Sequence, residues 1–307
     1  MSGVPAVSVV LATYNQARWL AGAIETVRAQ TFPDWELLVA DDGSTDETGA
    51  VVARHAADTR IRHLPGPHAE RCVARNRALA VARGDLVAFL DTDDRWHPEK
   101  LARQVAALEG TPVAGFCYTV ARFVDAEDQP LPIRKPPVAL AGNLFSALLH
   151  GNFVILASVV ARRKLVMDVG GFDETLAVCG CEDWDLWIRL ARERPVAVVD
   201  DELTRYRHPG STSAEQLLQS GLAVLERRYA DAGTAEAAGL SRAAARARLR
   251  WYLAGAVAAD RRSAAVPMVL AALREDPGTA LARPALGALA ALLLPRTAER
   301  ALRRLPV

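Results

Sequence analysis

Three carboxylates within four residues, in the segment Asp91-Thr92-Asp93-Asp94, are the side chains of this sequence best suited to chemistry. They directly follow residues 86–90, five apolar residues that predict a short strand buried on both faces. Crowded carboxylates repel one another unless a cation lies between them, and hard oxygen ligands suit Mg²⁺ or Mn²⁺. An acidic, solvated turn is the alternative for this stretch taken alone. The segment predicts a divalent-metal site if other polar segments meet it at the strand end.

Two earlier predicted strands also end in polar segments. Residues 6–12 are followed by Thr13-Tyr14-Asn15, and residues 35–40 are followed by Asp41-Asp42-Gly43-Ser44. Apolar residues at helical spacing lie between the strands, which indicates β-α-β units and a parallel sheet. Because ligands bind outside the carboxyl ends of such strands, the three polar segments are expected to form one site.

Two common phosphate-binding motifs are missing from the sequence. Neither G-x-G-x-x-G nor G-x-x-x-x-G-K-[ST] occurs, so there is no dinucleotide fingerprint and no P-loop. We therefore expect a bound phosphate to be neutralised by a metal ion and by Arg.

The second half of the chain is less regular. We predict strands at residues 113–124, 153–161 and 196–199, a Pro-rich loop at 125–137, a helix at 140–149 and a basic turn at 205–211. A helix begins at Glu182-Asp183-Trp184. Acids in the first turn of a helix favour its dipole, which is a purely structural explanation for Glu182 and Asp183.

Composition and charge describe an ordinary globular chain with a distinct tail. The sequence has 307 residues, 51% of them hydrophobic, and a net charge of +1. Its four cysteines form no C-x-x-C pair, and we find neither a signal peptide nor an apolar run long enough to span a bilayer. These features predict a reduced, cytoplasmic protein. From Glu215 onward there are 14 Arg, no Lys and 8 acidic residues, so the tail suits an acidic membrane face or a protein partner, whereas the front part does not suit nucleic acid.

Five blocks of the sequence resemble the family-2 inverting glycosyltransferases of the GT-A fold. They are SVVLATYN, ELLVADDGSTDET, ARNRALAVARGD, LDTDD and GFDETL with CEDWDLW, and they occur in the order of that family between about residues 7 and 213. The resemblance implies an α/β fold, a mixed and mainly parallel Rossmann-like sheet flanked by helices. It also implies a catalytic domain over residues 1–213, with a nucleotide-sugar half at 1–110 and an acceptor half at 111–213. We expect residues 214–307 to form a helical C-terminal extension.

Roles for single residues follow from the resemblance. It implies that Asp183 is the general base, with Glu182 as second choice, and that Mn²⁺ or Mg²⁺ is held by the acidic motif and, less securely, by a turn histidine. It also implies a nucleotide pocket in which Asp42 accepts a hydrogen bond from the base. The implied metal ligands are Asp91, Asp93, Asp94 and His208, and the implied nucleotide-binding residues are Thr13, Tyr14, Asn15, Asp41, Asp42, Arg75, Asn76 and Thr92.

The resemblance implies transfer of a sugar from a nucleoside-diphosphate donor, UDP or dTDP favoured, to a hydroxyl acceptor in cell-surface glycan assembly. A glycan, a lipid-linked saccharide and a small molecule all remain open as acceptors, and peripheral membrane association through the C-terminal helices is expected. Two alternatives are a non-catalytic nucleotide-sugar-binding protein of the same fold and a D-x-D phosphatase or phosphotransferase. The second alternative gives the Asp-Asp-Gly-Ser loop and the Glu182-Asp183 pair no task.

Overall fold

A computed structural model of the chain describes residues 3–136, 139–176, 180–207, 213–258 and 262–281, with Ala285, Leu286, Ala288, Leu289 and Leu292. The chain divides into two compact units. The first contains residues 1–145, 153–178 and 182–211, and the second contains residues 146–152, 179–181 and 212–307.

The first half of the first unit is the expected β-α-β arrangement. Four parallel strands pair in the order β3-β2-β1-β4, and helices connect them. The register places Thr13 beside Asp41 and Ala12 beside Asp91, so the three strands end at one edge of the sheet. The elements are β1 (Val7–Thr13), α1 (Ala17–Arg28), β2 (Trp35–Asp41), α2 (Thr48–Ala53), β3 (Ile61–Pro65), α3 (Arg71–Val81) and β4 (Leu86–Asp91).

The second half extends the same sheet with mixed strand directions. From β4 the order continues β8-β6-β9-β5, with β7 paired to β6, to give nine strands in the described residues. β6 and β9 run parallel, whereas β8 is antiparallel to both of its neighbours. The elements are β5 (Arg95–Trp96), α4 (Lys100–Gly110), β6 (Phe116–Val124), β7 (Pro130–Lys135), α5 (Phe145–Leu148), β8 (Val159–Arg162), α6 (Arg163–Asp168), α7 (Glu182–Glu193) and β9 (Val196–Arg207). The expected class, a mixed α/β sheet, is confirmed.

Three local predictions in this half were wrong. Residues 130–135 form β7 rather than a loop, because they pair at the sheet edge, where proline is tolerated. Strand β9 continues to Arg207 through residues that we expected to form a turn, since it pairs with β6 along its length. Residues 153–155 lie outside β8, and a 3₁₀ turn, Leu156–Ser158, precedes that strand.

The core of the first unit packs α1 and α4 against the central strands. Leu20, Ile24 and Val105 join Val9 and Leu37 in one buried cluster. Burying such side chains contributes about 1.5–3 kcal/mol each. Four tryptophans of this unit, Trp35, Trp96, Trp184 and Trp187, are also buried.

Gly84, which follows α3, is required by close packing. A Cβ atom there would lie 2.7 Å from the backbone nitrogen of Ser8. Helix α3 has already ended at Val81, so this glycine does not cap it. The glycine instead lets the chain enter β4 against β1.

The second unit is helical in the residues described. A capping box between Ser213 and Gln216 begins its first helix. Glu226 pairs with Arg242 and Arg246, and Glu275 pairs with Arg246 and Arg250. Among the described helices of the whole chain, none combines the length and apolar character needed to cross a bilayer. The helices are α8 (Ala214–Ala230), α9 (Thr234–Ala238), α10 (Arg242–Ala258) and α11 (Arg262–Glu275).

Candidate active site

The acidic motif forms a tight turn at the end of β4. Thr92 Oγ1 donates to the carbonyl oxygen of Ala12 at 3.0 Å, and the Asp94 amide donates to the Asp91 carbonyl at 3.1 Å. The Asp94 side chain is fully buried, and its Oδ1 accepts from the Arg207 amide at 2.9 Å. Its Oδ2 is buried with no hydrogen-bond partner among the described residues. Thr92 and Asp94 thus fix the turn, while Asp91 and Asp93 are partly exposed.

The electrostatics of this turn fit a divalent cation. Burial and the neighbouring Asp91 raise the pKa of Asp93, and burial together with Asp93 and Asp91 raises the pKa of Asp94 well above its usual range. A bound cation reduces the repulsion between neighbouring carboxylates. All the ligand atoms that these carboxylates offer are hard oxygens, which Mg²⁺ and Mn²⁺ prefer. Within the described part of the chain, no group of three His, Cys, Asp or Glu side chains is placed to hold a metal ion. This arrangement suits an ion bound by one or two carboxylates and completed by substrate phosphates.

Arg207 on β9 supports this turn. It is buried, its Nε donates to the Asp93 carbonyl at 3.2 Å, and its Nη2 donates to Asp128 Oδ1 at 3.0 Å. The guanidinium also lies over the Trp19 ring at 4.3 Å. Arg207 therefore ties the β6–β7 turn to the acidic motif. The adjacent residue His208, implied as a weak metal ligand, lies outside the described residues.

Arg75 on α3 joins two of the acids implied by the resemblance. Its Nη1 donates to Glu182 Oε1 and its Nη2 donates to Asp91 Oδ1, both at 2.7 Å. Burial opposes the charge of the guanidinium, but Asp91 and Glu182 outweigh it and raise the pKa of Arg75. Arg75 is thus a buried cation held between the end of β4 and the start of α7.

Asn76, implied to lie near the diphosphate or sugar, makes protein contacts with its whole amide. Its Nδ2 donates to the Phe172 carbonyl and to Glu174 Oε1, and its Oδ1 accepts from the Phe172 amide, each at 2.9 Å. These bonds attach α3 to the segment that precedes α7. A positioning role accounts for this side chain.

The acids that begin α7 differ in their surroundings. Glu182 is buried beside Arg75, and its Oε2 has no hydrogen-bond partner in the described residues. Asp183 is half-buried, and its Oδ1 accepts from the Trp184 amide at 2.7 Å. Of the two, Asp183 is the more accessible to a reacting hydroxyl.

The loops after β1 and β2 hold each other in place. Asn15 has a positive φ of 51°, and its Oδ1 accepts from the Thr45 amide at 2.8 Å. Asp41 Oδ1 accepts from the Ser44 amide at 2.9 Å, and Thr13 is buried beside them, its carbonyl accepting from the Asp42 amide. Sequence placed these residues in one pocket, and the structure brings their segments together.

Sequence reasoning missed His68, which contacts both Tyr14 and Asp42. The imidazole and phenol rings stack with centroids 4.1 Å apart, and His68 Nδ1 lies 2.8 Å from Asp42 Oδ2. No local pattern marks this residue. It follows the Pro65-Gly66-Pro67 break, and its role depends on loops far away in the chain.

Comparison with known proteins supports the family resemblance independently of the structure. The model of the family described as glycosyl transferase family 2 matches residues 8–170. An Escherichia coli protein named UDP-Glc:alpha-D-GlcNAc-diphosphoundecaprenol beta-1,3-glucosyltransferase WfgD is 40% identical over 195 residues, which are 63% of this chain and 73% of that protein. Against two other curated relatives, the chain spans only about a third of their length, 34% and 33%.

Solved structures resemble the fold across the chain. Residues 1–349 of Staphylococcus aureus TarS with UDP-GlcNAc match at a TM-score of 0.63 and 18% identity, covering 97% of this chain and 91% of that one. The Pyrobaculum calidifontis mannosyltransferase PcManGT with GDP-Man and Mn²⁺ matches at 0.58 and 19% identity, covering 95% and 88%. With the family match, the sheet and its acidic edge, these findings identify the chain as a member of glycosyltransferase family 2 with the GT-A fold.

Proposed function

We propose that this glycosyltransferase is metal-dependent and inverting, and that it moves a sugar from a UDP or dTDP donor to a hydroxyl acceptor. The observation that carries the proposal is the meeting of three polar strand ends, after β1, β2 and β4, with the acids that begin α7. Separate groups of the site can therefore bind the donor's base, bind its diphosphate and contact the attacking hydroxyl.

The donor's diphosphate is proposed to bind beside Asp91 and Asp93. A divalent ion bound there would neutralise charge on the departing diphosphate. Crowding of the acids supports this proposal, as does the Mn²⁺ named with the Pyrobaculum mannosyltransferase. Asp94 contributes mainly by fixing the turn, because its Oδ1 is taken by the Arg207 amide.

Inversion requires a base on the face of the sugar opposite the leaving group. We assign this task to Asp183, which would take the proton from the acceptor hydroxyl as its oxygen attacks the anomeric carbon. Glu182, paired with Arg75, serves to hold α7 and the Asp91 carboxylate together. Asp183 is thus the catalytic residue and Glu182 a positioning residue.

The acceptor is proposed to be a glycan or lipid-linked saccharide of the cell surface. The name of the E. coli relative describes a donor linked to UDP and an acceptor linked to diphosphoundecaprenol. This supports the proposed class of substrates. An acceptor of this kind would place the enzyme in the cytoplasm, at the inner face of the plasma membrane. The Arg-rich C-terminal helices are the proposed contact with that surface.

The test is calorimetric titration of UDP into the full chain with Mn²⁺, with excess chelator, and with Asp93→Ala. We expect binding that is at least about tenfold weaker without metal or without the Asp93 carboxylate, the cost of roughly one charge-assisted contact. Asp201→Ala is the matched control, because Asp201 is exposed and, among the described residues, pairs only with Arg103.

Equal binding with and without metal would exclude the metal-dependent donor site. If UDP does not bind, titrations with dTDP and GDP decide whether only the base was wrong. Failure of all three nucleotides would remove the donor proposal.

A further inference from the structure

Helix α10 in the second unit carries one arginine, Arg248, that differs from its neighbours. The other three follow one another at four-residue spacing, so they share a face of the helix and pair there with glutamates on α8 and α11. Arg248 lies about 200° around the helix from that face. Its contacts among the described residues include no carboxylate. The paired residues are Arg242, Arg246 and Arg250 with Glu226 and Glu275.

The group that Arg248 does contact is a histidine. Arg248 Nη1 lies 2.5 Å from His150 Nε2, and the histidine belongs to residues 146–152, which are part of the same unit. A guanidinium can only donate hydrogen bonds, so Nε2 is the acceptor and the ring proton is on Nδ1. Burial and Arg248 lower the pKa of His150 to about 4. The imidazole is therefore neutral at physiological pH and does not balance the charge of Arg248.

Two tyrosines near Arg248 are uncharged as well. Burial raises the pKa of Tyr229 to about 12, against the opposing effect of the nearby Arg248, and the Tyr229 hydroxyl donates to the Leu240 carbonyl at 3.0 Å. Tyr252, one turn beyond Arg248 on α10, is 42% exposed. It packs beside Gly151, where a Cβ atom would lie 3.6 Å from the Tyr252 Cδ1 atom. Neither phenol can neutralise a cation at neutral pH.

Most of the hydrogen-bonding capacity of Arg248 is unused. Among the described residues only its Nη1 has a partner, and its Nε is buried without one. The N–H groups of Nε and Nη2 form the planar fork with which arginine binds two oxygens of one anion. Leaving a buried donor unpaired costs free energy, and proteins retain such arrangements mainly at functional sites. Arg248 therefore has the charge, the donors and the surroundings of an anion-binding residue.

We propose that Arg248 binds a phosphate or diphosphate group in the second unit, through the N–H groups that His150 leaves free. His150 orients the guanidinium and is a positioning residue. A lipid-linked acceptor would supply such a group, and this choice of source rests on the acceptor class in the proposed function. Free phosphate or diphosphate has the same chemistry and is the other source to be tested.

The experiment is calorimetric titration of the full chain with inorganic phosphate, inorganic diphosphate and farnesyl diphosphate. Excess chelator is present and nucleotide is absent, so that no metal links these anions to the acidic motif. Diphosphate should bind the wild-type chain, and it should bind Arg248→Gln at least about tenfold more weakly, because a charge-assisted contact is lost. Arg248→Lys keeps the charge but not the fork of parallel donors, so it should bind severalfold more weakly than the wild type. Arg274→Gln, the same change of charge at an exposed position of α11, is the matched control and should bind like the wild type.

Thermal denaturation separates a ligand site from a structural contact. Because Arg248 has no carboxylate partner among the described residues, Arg248→Gln without ligand should melt no lower than the wild type. Diphosphate should raise the Tm of the wild-type chain and not that of Arg248→Gln. A ligand-free Arg248→Gln chain that melts well below the wild type would make the role of Arg248 structural and overturn the proposal.

The titrations have equally definite outcomes. Undiminished binding in Arg248→Gln overturns the proposal, as does an equal loss in Arg274→Gln or full affinity in Arg248→Lys, since net charge alone would then account for binding. Farnesyl diphosphate that binds more tightly than diphosphate, and loses this affinity in Arg248→Gln, identifies a lipid-linked source, whereas equal affinities identify the free anion. If the wild-type chain binds none of the three anions, the site is absent. The donor function fails only if the separate UDP titration with Mn²⁺ also fails.

Discussion

At the scale of single residues, the neighbouring acids that begin α7 are predicted to respond differently to substitution. Asp183→Asn should lower kcat about 100-fold or more, because the variant cannot take the acceptor proton. UDP binding should stay within about twofold, since the carboxylate does not contact the donor in our proposal. Single-turnover transfer rates and UDP titration measure the two effects. Unchanged turnover would remove Asp183 from the catalytic role.

Glu182→Gln should act on stability instead. The amide keeps the shape of the side chain but leaves Arg75 with only the Asp91 carboxylate, so the free energy of unfolding should fall by about 1–3 kcal/mol. Urea denaturation measures this change, with Glu193→Gln at the far end of the same helix as control. A stable variant that has lost turnover would make Glu182 the base.

Glu70 offers a test of backbone strain at the proposed nucleotide site. Its φ of 76° and ψ of 157° suit glycine, so Glu70→Gly should raise the free energy of unfolding by about 1 kcal/mol despite the added entropy of the unfolded chain. Glu70→Ala keeps the strain and should give no such gain. Equal stability of the two variants would show that the side chain, and not the backbone, determines the effect.

How far single residues were predictable depends on the range of their contacts. The Asp41-Asp42 and Asp91–Asp94 segments were recognisable because their type and spacing are local. The contacts of Arg75 with Glu182 and of His68 with Tyr14 join residues distant in the chain, and no periodicity reports such pairs. Their discovery required the fold.

At the scale of elements, α4 begins with a buried lysine, Lys100, that no carboxylate of the described residues neutralises. Lys100 is fully buried, its Nζ has no hydrogen-bond partner in the described residues, and it lies 4.0 Å from the centre of the Trp96 ring. Burial lowers the pKa of Lys100 to about 7. Between about pH 7 and the ordinary value near 10.4, the unfolded chain therefore binds more protons than the folded one.

This difference fixes the sign of a pH dependence. Stability should rise with pH across the window from about 7 to about 10, by at most about 1.4 kcal/mol per pH unit from this group. Lys100→Met should raise stability at pH 7 and flatten the slope in that window. Denaturation at pH 7, 8 and 9 measures both, with the exposed Lys164→Met as control. An unchanged slope would show that Lys100 stays charged in the folded protein.

Strand boundaries show what element prediction can achieve. The buried strands β1, β2 and β4 were predictable from continuous apolar runs, because both faces are covered. Strand β7 and residues 200–207 of β9 were not, since their polar and Pro residues are compatible with strand structure only when β6 supplies a partner. Pairing, and not composition, makes these segments strands.

At the scale of the whole molecule, charge and apolar surface are unevenly distributed. The positive tail carries exposed apolar residues along α11, where Val266, Leu270 and Leu273 are 44%, 46% and 37% exposed at helical spacing. The opposite face of α11 is buried. A helix that is apolar on both faces, within a basic segment, suits the surface of an anionic membrane.

The corresponding prediction uses the full chain and vesicles with and without anionic lipid. Leu270→Glu combined with Leu273→Glu should lower co-sedimentation with anionic vesicles at least about fivefold, since each added charge near the surface costs about 1 kcal/mol. Val113→Glu with Leu140→Glu makes the same change of charge at exposed apolar positions elsewhere and should have little effect. Equal loss of co-sedimentation in both double variants would show that the effect depends on net charge and not on the apolar face of α11.

The bridge that Arg75 forms between Asp91 and Glu182 has a consequence for engineering new sugar specificities. Asp91 and Arg75 belong to the part of the sequence assigned to the donor, whereas Glu182 belongs to the part assigned to the acceptor. A chimera that joins residues 1–110 of this chain to the later part of a relative must therefore bring a carboxylate to the position of Glu182. Without it, the buried Arg75 of the recombined protein would keep only the Asp91 carboxylate as its partner. Recombination sites should accordingly be chosen so that these three residues are inherited together.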